Sequence, residues 1–267
     1  MSKLLSHLPA LCNMVRRLAC EAGDITLDYF EEGMMLPSDT KADGSPVTEA
    51  DRKAEEFLAA SLRAEFPDLP VVGEEAAAQG AIHDLSAADY FWLVDPLDGT
   101  REYIAGSPEF TVNIALIKNN EPILGVIYAP AKGEMFFAHG EGTAAKWIAE
   151  TGNEKRINVR KPSRGGLVVM ASRHRAGKAL DDYLAEHKVE KIVRRGSSLK
   201  ICAVAAGKAD IYPGLWETCE WDTAAGHAIL SAAGGELVTL DGTPLRYGLN
   251  SPHFSNPPFV ARSKHLA

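Results

Sequence analysis

Cysteine is scarce in this chain: four among 267 residues, Cys12, Cys20, Cys202 and Cys219. Four thiols are too few to staple a protein of this size, and none stands in a C-x-x-C pair of the kind that builds zinc or redox sites. They read as reduced thiols of a cytoplasmic protein. Long apolar runs are missing too, since none approaches the roughly 18–20 residues that a bilayer span needs. A positive balance is also absent: 36 Asp and Glu stand against 28 Lys and Arg, for a net −8. Such a surface repels a phosphate backbone, which excludes a broad binder of nucleic-acid polymers. There is no internal repeat, low-complexity tract or long linker. What is present is 46% hydrophobic residues, enough for a sizeable core in one large or two intimate domains. The acid excess is either spread for solubility or partly gathered to hold cations.

Leu4, Leu8, Leu11, Val15 and Leu18 recur at helical spacing, while Arg16, Arg17 and Glu21 interrupt any signal-peptide core. The N-terminus is therefore expected to be an amphipathic helix whose apolar face packs on a core; peripheral inner-membrane association is not indicated. The polar stretch from Gly33 to Val47 reads as a loop or irregular hairpin. A second helix starts at Thr48, with Asp51 three positions on as a variant capping box and Ala54, Phe57, Leu58 and Leu62 as its apolar side; Pro67 ends it. The run YFWLV at 90–94 reads as a buried strand delivering Asp95 to its end before Pro96 breaks the pattern. TVNIALI, ILGVIYA and EMFFAH read as consecutive antiparallel strands. From about Gly166 the rhythm becomes strand–helix alternation, with a last helix expected over 224–233. The chain thus divides into an α+β half, 1–160, and an α/β half, 161–267, with any active site between them.

The strongest local signal is DPLDGT at 95–100. Two carboxylates three residues apart, in a turn rich in Pro and Gly, can converge with a backbone carbonyl, and hard divalent cations such as Mg²⁺ want such oxygens. Gly99 lets a backbone approach an anion, and Thr100 can open a helix whose N–H groups face phosphate. The plainer reading is an Asx-turn leading to a helix cap. Glu74 and Glu75 follow VVG at another strand end, where only one of two adjacent side chains would face a given site; alone they read as a solvated pair. Asp222 stands just ahead of an alanine-rich stretch and reads equally as an N-cap.

GEE at 73–75, DPLDGT at 95–100 and WDTAAG at 221–226, in this order, resemble the signatures of the lithium-sensitive, magnesium-dependent inositol monophosphatase superfamily. SPVTEAD at 45–51, YFWLVDPLDGTREYI at 90–104, EFTVNIALI at 109–117, PILGVIYAP at 122–130, GSSLK at 196–200 and NPPFVAR at 256–262 are similar to the bacterial 3′(2′),5′-bisphosphate nucleotidase branch, of the CysQ type. The resemblance implies a layered αβαβα sugar-phosphatase fold. It implies two Mg²⁺, one on Glu74, Asp95 and the Leu97 carbonyl and one on Asp95, Asp98 and Asp222, with a weak third beside the attacking water. It implies that Asp51, Glu74 and Thr100 are catalytic, Asp51 and Thr100 orienting or deprotonating that water, and that the Leu97–Thr100 backbone, Gly99 included, holds the phosphate among the metal ligands.

By the same resemblance, Ser197 and Lys200 would meet the second phosphate or sugar of a small nucleotide, although Ser as cap and Lys on a solvent face is the plain alternative. His174 sits one position earlier than in relatives. Gly214 stands where relatives often carry Arg, so Arg173, Arg175, Arg194 or Arg195 would have to grip the second phosphate. Trp216 either packs or stacks on adenine. The activity implied is Mg²⁺-dependent hydrolysis of 3′-phosphoadenosine 5′-phosphate to AMP and phosphate, recycling a by-product of sulfate activation. A broader inositol or sugar monophosphatase, and a catalytically silent nucleotide- or metal-binding regulator, are the alternatives. Monomer and homodimer are equally open.

Overall fold

The computed structural model describes residues 3–31, 35–41, 46–80, 85, 88–175, 177–249 and 253–266. Much of the expected Gly33–Val47 loop, namely 33–34 and 42–45 with Ser45 of SPVTEAD, lies outside the described residues. In chain order the elements are α1 (Leu8–Leu27), β1 (Asp39–Thr40), β2 (Pro46–Val47), α2 (Glu49–Glu65), β3 (Val71–Gly73), α3 (Glu74–Ala78), β4 (Tyr90–Asp98) and α4 (Thr100–Ile104). They continue as β5 (Thr111–Lys118), β6 (Glu121–Ala129), β7 (Glu134–Ala138), β8 (Ala145–Ile148), β9 (Glu154–Arg156), β10 (Leu167–Ser172), α5 (Lys178–Ala185) and β11 (Val189–Arg195). The chain closes with α6 (Leu199–Ala205), β12 (Ile211–Gly214), α7 (Glu220–Ala232), β13 (Gly235–Thr239) and β14 (Phe259–Ser263).

Two sheets organise these elements. The larger runs β3-β4-β5-β6-β7-β8-β9, parallel only at β3–β4. The smaller runs β11-β10-β12-β14-β13 and is mixed: β14 lies antiparallel to both β12 and β13. That strand comes from the NPPFVAR segment, whose alternation is too short to announce a strand. On one face of the large sheet lie α1 and α2, whose Leu11, Val15, Leu58 and Leu62 are fully buried with Trp92 and Ile114. The apolar face expected of the N-terminal helix thus covers the sheet. On the other face lie α6 and α7, sandwiched between the two sheets, with Ile201, Ala225 and Ile229 in one core with Leu93 and Ile127. The outer face of the small sheet is covered by α5 through Leu180 and Leu184, against Val169 and Ile211. The layers are therefore αβαβα.

Close approach of α7 to the large sheet depends on small residues. A Cβ at Gly125 on β6 would run into the Ala225 carbonyl, while one at Gly226 would stand 3.0 Å from Ile201 Cδ1 on the neighbouring α6. Gly125 thus lets the α7 backbone settle onto β6, and Gly226 lets α7 pack closely on α6. The helix starts at Glu220, four residues earlier than the alanine run suggests, so Asp222 is its N3 residue. No helix among the described residues is long and apolar enough to cross a membrane.

Candidate active site

Pairing of β4 with β5 passes from Asp95↔Asn113 to Asp98↔Thr111, three residues on one strand against two on the other. This β-bulge decides the site. In a regular strand residues three apart point to opposite faces, and one inserted residue turns both to the same face. Pro96 therefore does not end the strand, as its missing N–H suggested; β4 runs on to Asp98. Leu97 is buried with Ala50, Tyr103 and Phe110. Gly99 takes φ +94° at the start of α4, and a Cβ there would press on the Glu109 carbonyl and Ser197. The Asp95 carboxylate accepts the Leu97 N–H at 3.0 Å, the Asx-turn expected from the hexapeptide.

Oxygens of Asp95, Asp98 and Asp222 all lie within 4.8 Å of one another. Asp222 reaches them from α7, where its other duty is to accept the Cys219 N–H at 2.8 Å. Capping and membership of the cluster are compatible because the cap occupies one carboxylate oxygen. Burial, followed by the charges of Glu74, Asp98 and Asp222, pushes the Asp95 carboxyl well above the usual range. Burial and then Asp98 and Glu74 do the same to Asp222. Glu74 is raised by burial against the opposing pull of Lys41.

One buried carboxylate away from the cluster shows what full satisfaction looks like. Asp210, fully buried, takes a bidentate grip from Arg160 at 2.8 and 2.6 Å and the Val168 N–H at 2.7 Å. Among the described residues, Asp95 and Asp222 have backbone N–H groups but no side-chain cation on them, which is the donor set that a hard divalent ion completes. The residues present fit such an ion.

Asp51 forms the expected capping box with the Thr48 N–H at 2.7 Å, and its second oxygen lies 3.3 Å from Thr100 Oγ1. Burial pushes the Asp51 carboxyl up, partly offset by the Thr48 hydrogen bonds. The Thr100 hydroxyl is also 3.2 Å from the Leu97 carbonyl. Glu74 and Glu75 correct an expectation: both carboxylates meet one partner, Lys41 Nζ, at 2.6 Å each. They open α3 rather than extend β3, and helical neighbours are not thrown to opposite faces as strand neighbours are.

A cleft of about 250 Å³ joins these groups to the second half, its wall including Glu74, Asp98, Thr100, Ser197, Lys200 and Asp222. Lys200 is buried, its ammonium donating to the Ser197 carbonyl and lying 5.4 Å over the Tyr212 ring. This rules out the solvent-face reading of Lys200. Ser197 adopts φ +51°. Of the four arginines considered, only Arg175 lines this cleft, and it donates to the Glu217 carbonyl at 3.0 Å. Arg173 is held by Glu109 at 2.6 Å and Arg194 by the Ser172 carbonyl at 2.9 Å, while Arg195 lines a different cleft. At Gly214 a Cβ would enter the Phe259 ring, so a larger residue there requires that ring to move. Trp216 both packs on the small-sheet core and lines the cleft.

Several residues of the site escaped the sequence reading. Ser198 bonds Asp98 Oδ2 through its N–H and, at 2.6 Å, through its hydroxyl, and it is braced by Asn113 at 2.9 Å. Glu102 pairs with His174 at 3.0 Å on the rim. Ser198 belonged to a quoted motif, but nothing in GSSLK ranks its second serine over its first.

The family model described as the inositol monophosphatase family matches residues 10–266. The 3′(2′),5′-bisphosphate nucleotidase CysQ of Escherichia coli K12 is 43% identical over 249 residues, covering 93% of this chain and 98% of the relative. Among solved structures, CysQ from Bacteroides thetaiotaomicron, described as a bacterial member of the inositol monophosphatase family, aligns with TM-score 0.76 and 40% identity, covering 92% and 94% of the two chains. An IMPase of Thermotoga maritima aligns with TM-score 0.76 at 25% identity, covering 95% and 92%. A match running almost from end to end, over a bulged strand and a helix start that bring three distant motifs together, leaves one conclusion: this chain belongs to the inositol monophosphatase family.

Proposed function

We propose that this chain is a Mg²⁺-dependent phosphomonoesterase that removes the 3′-phosphate of 3′-phosphoadenosine 5′-phosphate, giving AMP and phosphate. The observation that carries the chemistry is the convergence of Asp95, Asp98 and Asp222 without a side-chain cation on Asp95 or Asp222 among the described residues. The likeness to nucleotidases at 43% identity supports the substrate. In the cell this activity would recycle a by-product of sulfate activation. The division of labour between residues 1–160 and 161–267 belongs to the same proposal, the first half supplying most metal ligands and the second the substrate contacts and Asp222.

Phosphate monoesters hydrolyse extremely slowly because a dianion repels the nucleophile, so charge neutralisation and placement are what the protein must provide. Glu74, Asp95 and the Leu97 carbonyl would hold one Mg²⁺, and Asp95, Asp98 and Asp222 a second. When bound, the ions supply positive charge to the phosphoryl oxygens and acidify coordinated water. Thr100 and Asp51 would orient the attacking water: the Thr100 hydroxyl lies 3.3 Å from Asp51, a carboxylate whose burial makes it a stronger base and which would take the water's proton through that hydroxyl. First-turn N–H groups of α4, freed by Gly99, have no intrahelical acceptor and can meet phosphate oxygens. Ser197, Lys200 and Arg175 stand at the far side of the cleft, where the second phosphate and sugar would lie, and Trp216 offers a face to the base.

Gly214 and the packed Phe259 ring keep one competing reading alive, a broader inositol or sugar monophosphatase, because no arginine grips from that position. Phosphate release from 3′-phosphoadenosine 5′-phosphate and from inositol 1-phosphate, with and without Mg²⁺, decides between them. The nucleotide is expected to turn over at least tenfold faster. Faster turnover of the inositol ester overturns the substrate, and release of no phosphate from either supports a silent binding protein.

A further inference from the structure

A second cleft, of about 410 Å³, opens on the other side of α6, between β7–β8 of the large sheet and β10–β11 of the small one. Its floor is apolar: Phe136 is 5% exposed and Cys202 1% exposed. Its charged lining is Lys132, Lys146, Arg195 and Lys208 against Glu134 alone. Glu134 is already neutralised by Lys146 at 2.6 Å, and Lys146 also lies 5.2 Å over the Phe136 ring. That leaves Lys132, Arg195 and Lys208, whose side chains have no hydrogen-bond or ion-pair partner among the described residues. Three uncompensated cations around an apolar floor invert the balance of a chain whose net charge is −8.

Cations gathered without carboxylate partners raise one another's energy, and an anion that enters relieves this most where water is partly excluded. Cavities of roughly 300–1,000 Å³ with apolar walls and a few convergent polar groups are the size that takes small organic ligands. We propose that this cleft is a binding site for a small amphiphilic anion, an aromatic or acyl body on Phe136 and Cys202 bearing one phosphate, sulfate or sulfonate group held by Lys132, Arg195 and Lys208. It is separate from the acidic cluster: α6 turns Lys200 toward the acidic cleft and Cys202 toward this one. It needs no metal, since its charge is supplied by side chains.

The test uses 8-anilinonaphthalene-1-sulfonate, titrated by calorimetry and fluorescence into full-length protein in EDTA, where the metal-free acidic cluster repels anions and no turnover occurs. One saturable site is expected. The Lys132→Glu/Lys208→Glu variant should weaken it at least tenfold at unchanged thermal melting, and the neutral-side-chain pair Lys132→Gln/Lys208→Gln should weaken it by less. Arg17→Glu, in the groove beside α1 and Trp147, serves as the control and should leave affinity unchanged. Uncharged N-phenyl-1-naphthylamine should bind at least tenfold more weakly than the sulfonate. The proposal is overturned if the double charge reversal leaves affinity unchanged, if Arg17→Glu abolishes binding, or if the uncharged analogue binds as tightly. Inorganic sulfate binding as tightly as the aromatic sulfonate would also overturn it, since the apolar floor would then contribute nothing.

Discussion

Ser198 Oγ lies 2.6 Å from Asp98 Oδ2, joining residues 100 positions apart. The same hydroxyl is 2.8 Å from the Asp222 carbonyl, so the cap of α6 ties β4 to the first turn of α7. One small side chain thus sets the relative position of two carboxylates that come from opposite halves of the chain.

Ser198→Ala should therefore act on the metal site through position. Outer-sphere partners of metal ligands are typically worth 10–100-fold in affinity, and a calorimetric Mg²⁺ titration should show a loss in that range. The lost hydrogen bonds should cost about 1–2 kcal/mol in denaturant unfolding. Unaltered Mg²⁺ affinity would remove Ser198 from the support of Asp98.

Asp98→Asn is expected to lower phosphate release by several orders of magnitude while making the metal-free protein more stable, because Asp98 is one of the charges that raise Asp95 and Asp222. Mg²⁺ at 100 times its dissociation constant should stabilise the wild type by about 2.7 kcal/mol, and this gain should nearly vanish in the variant. Melting with and without Mg²⁺ reads both effects; equal gains in the two proteins would take Asp98 out of the ligand set.

Lys41 bridges Glu74 and Glu75 at 2.6 Å each, occupying the carboxylate that one Mg²⁺ would need. Substitution Lys41→Gln removes this competitor and is expected to tighten apparent Mg²⁺ binding several-fold. Calorimetry at neutral pH checks it, and weaker binding would mean that Lys41 assists the site.

His227 is buried beside Tyr247, its Nδ1 3.0 Å from the hydroxyl, and burial depresses its pKa to about 4. A depressed folded value means that the unfolded chain takes the proton first. Stability from this group is full above about pH 6.5 and is lost as pH falls toward 4, by an order of 3 kcal/mol. The raised carboxyls of the acidic cluster act oppositely, gaining relative stability on protonation, so the two must be separated by mutation. His227→Gln should lose less stability than wild type between pH 7 and pH 4.5 in urea titrations. Parallel losses would refute the assignment.

Gly125→Ala places a methyl against the Ala225 carbonyl. Overpacking of this kind costs about 1–3 kcal/mol, and lifting α7 also moves Asp222. A lower melting temperature together with weaker Mg²⁺ binding is expected; loss of stability alone would show that the sheet yields instead of the helix.

The sequence by itself determined the element rhythm and the motifs that hold Asp95, Asp98 and Asp222. Strand alternation, capping residues and helical spacing are local, and local pattern is what a sequence displays. It also pointed to where some of the acid excess goes, into the cluster of Asp95, Asp98 and Asp222 rather than only to the solvent. Tertiary structure decided the rest. The bulge that turns Asp95 and Asp98 to one face is visible only in the pairing with β5. The descent of α7 depends on Gly125, and the choice of Ser198 over Ser197 depends on which hydroxyl meets Asp98. The insertion of β14 between β12 and β13 and the fate of four arginines depend on neighbours far away in the chain. Each of these is a contact between distant segments, fixed by packing and by the need of buried charges for partners, and neither requirement leaves a periodic mark on the sequence.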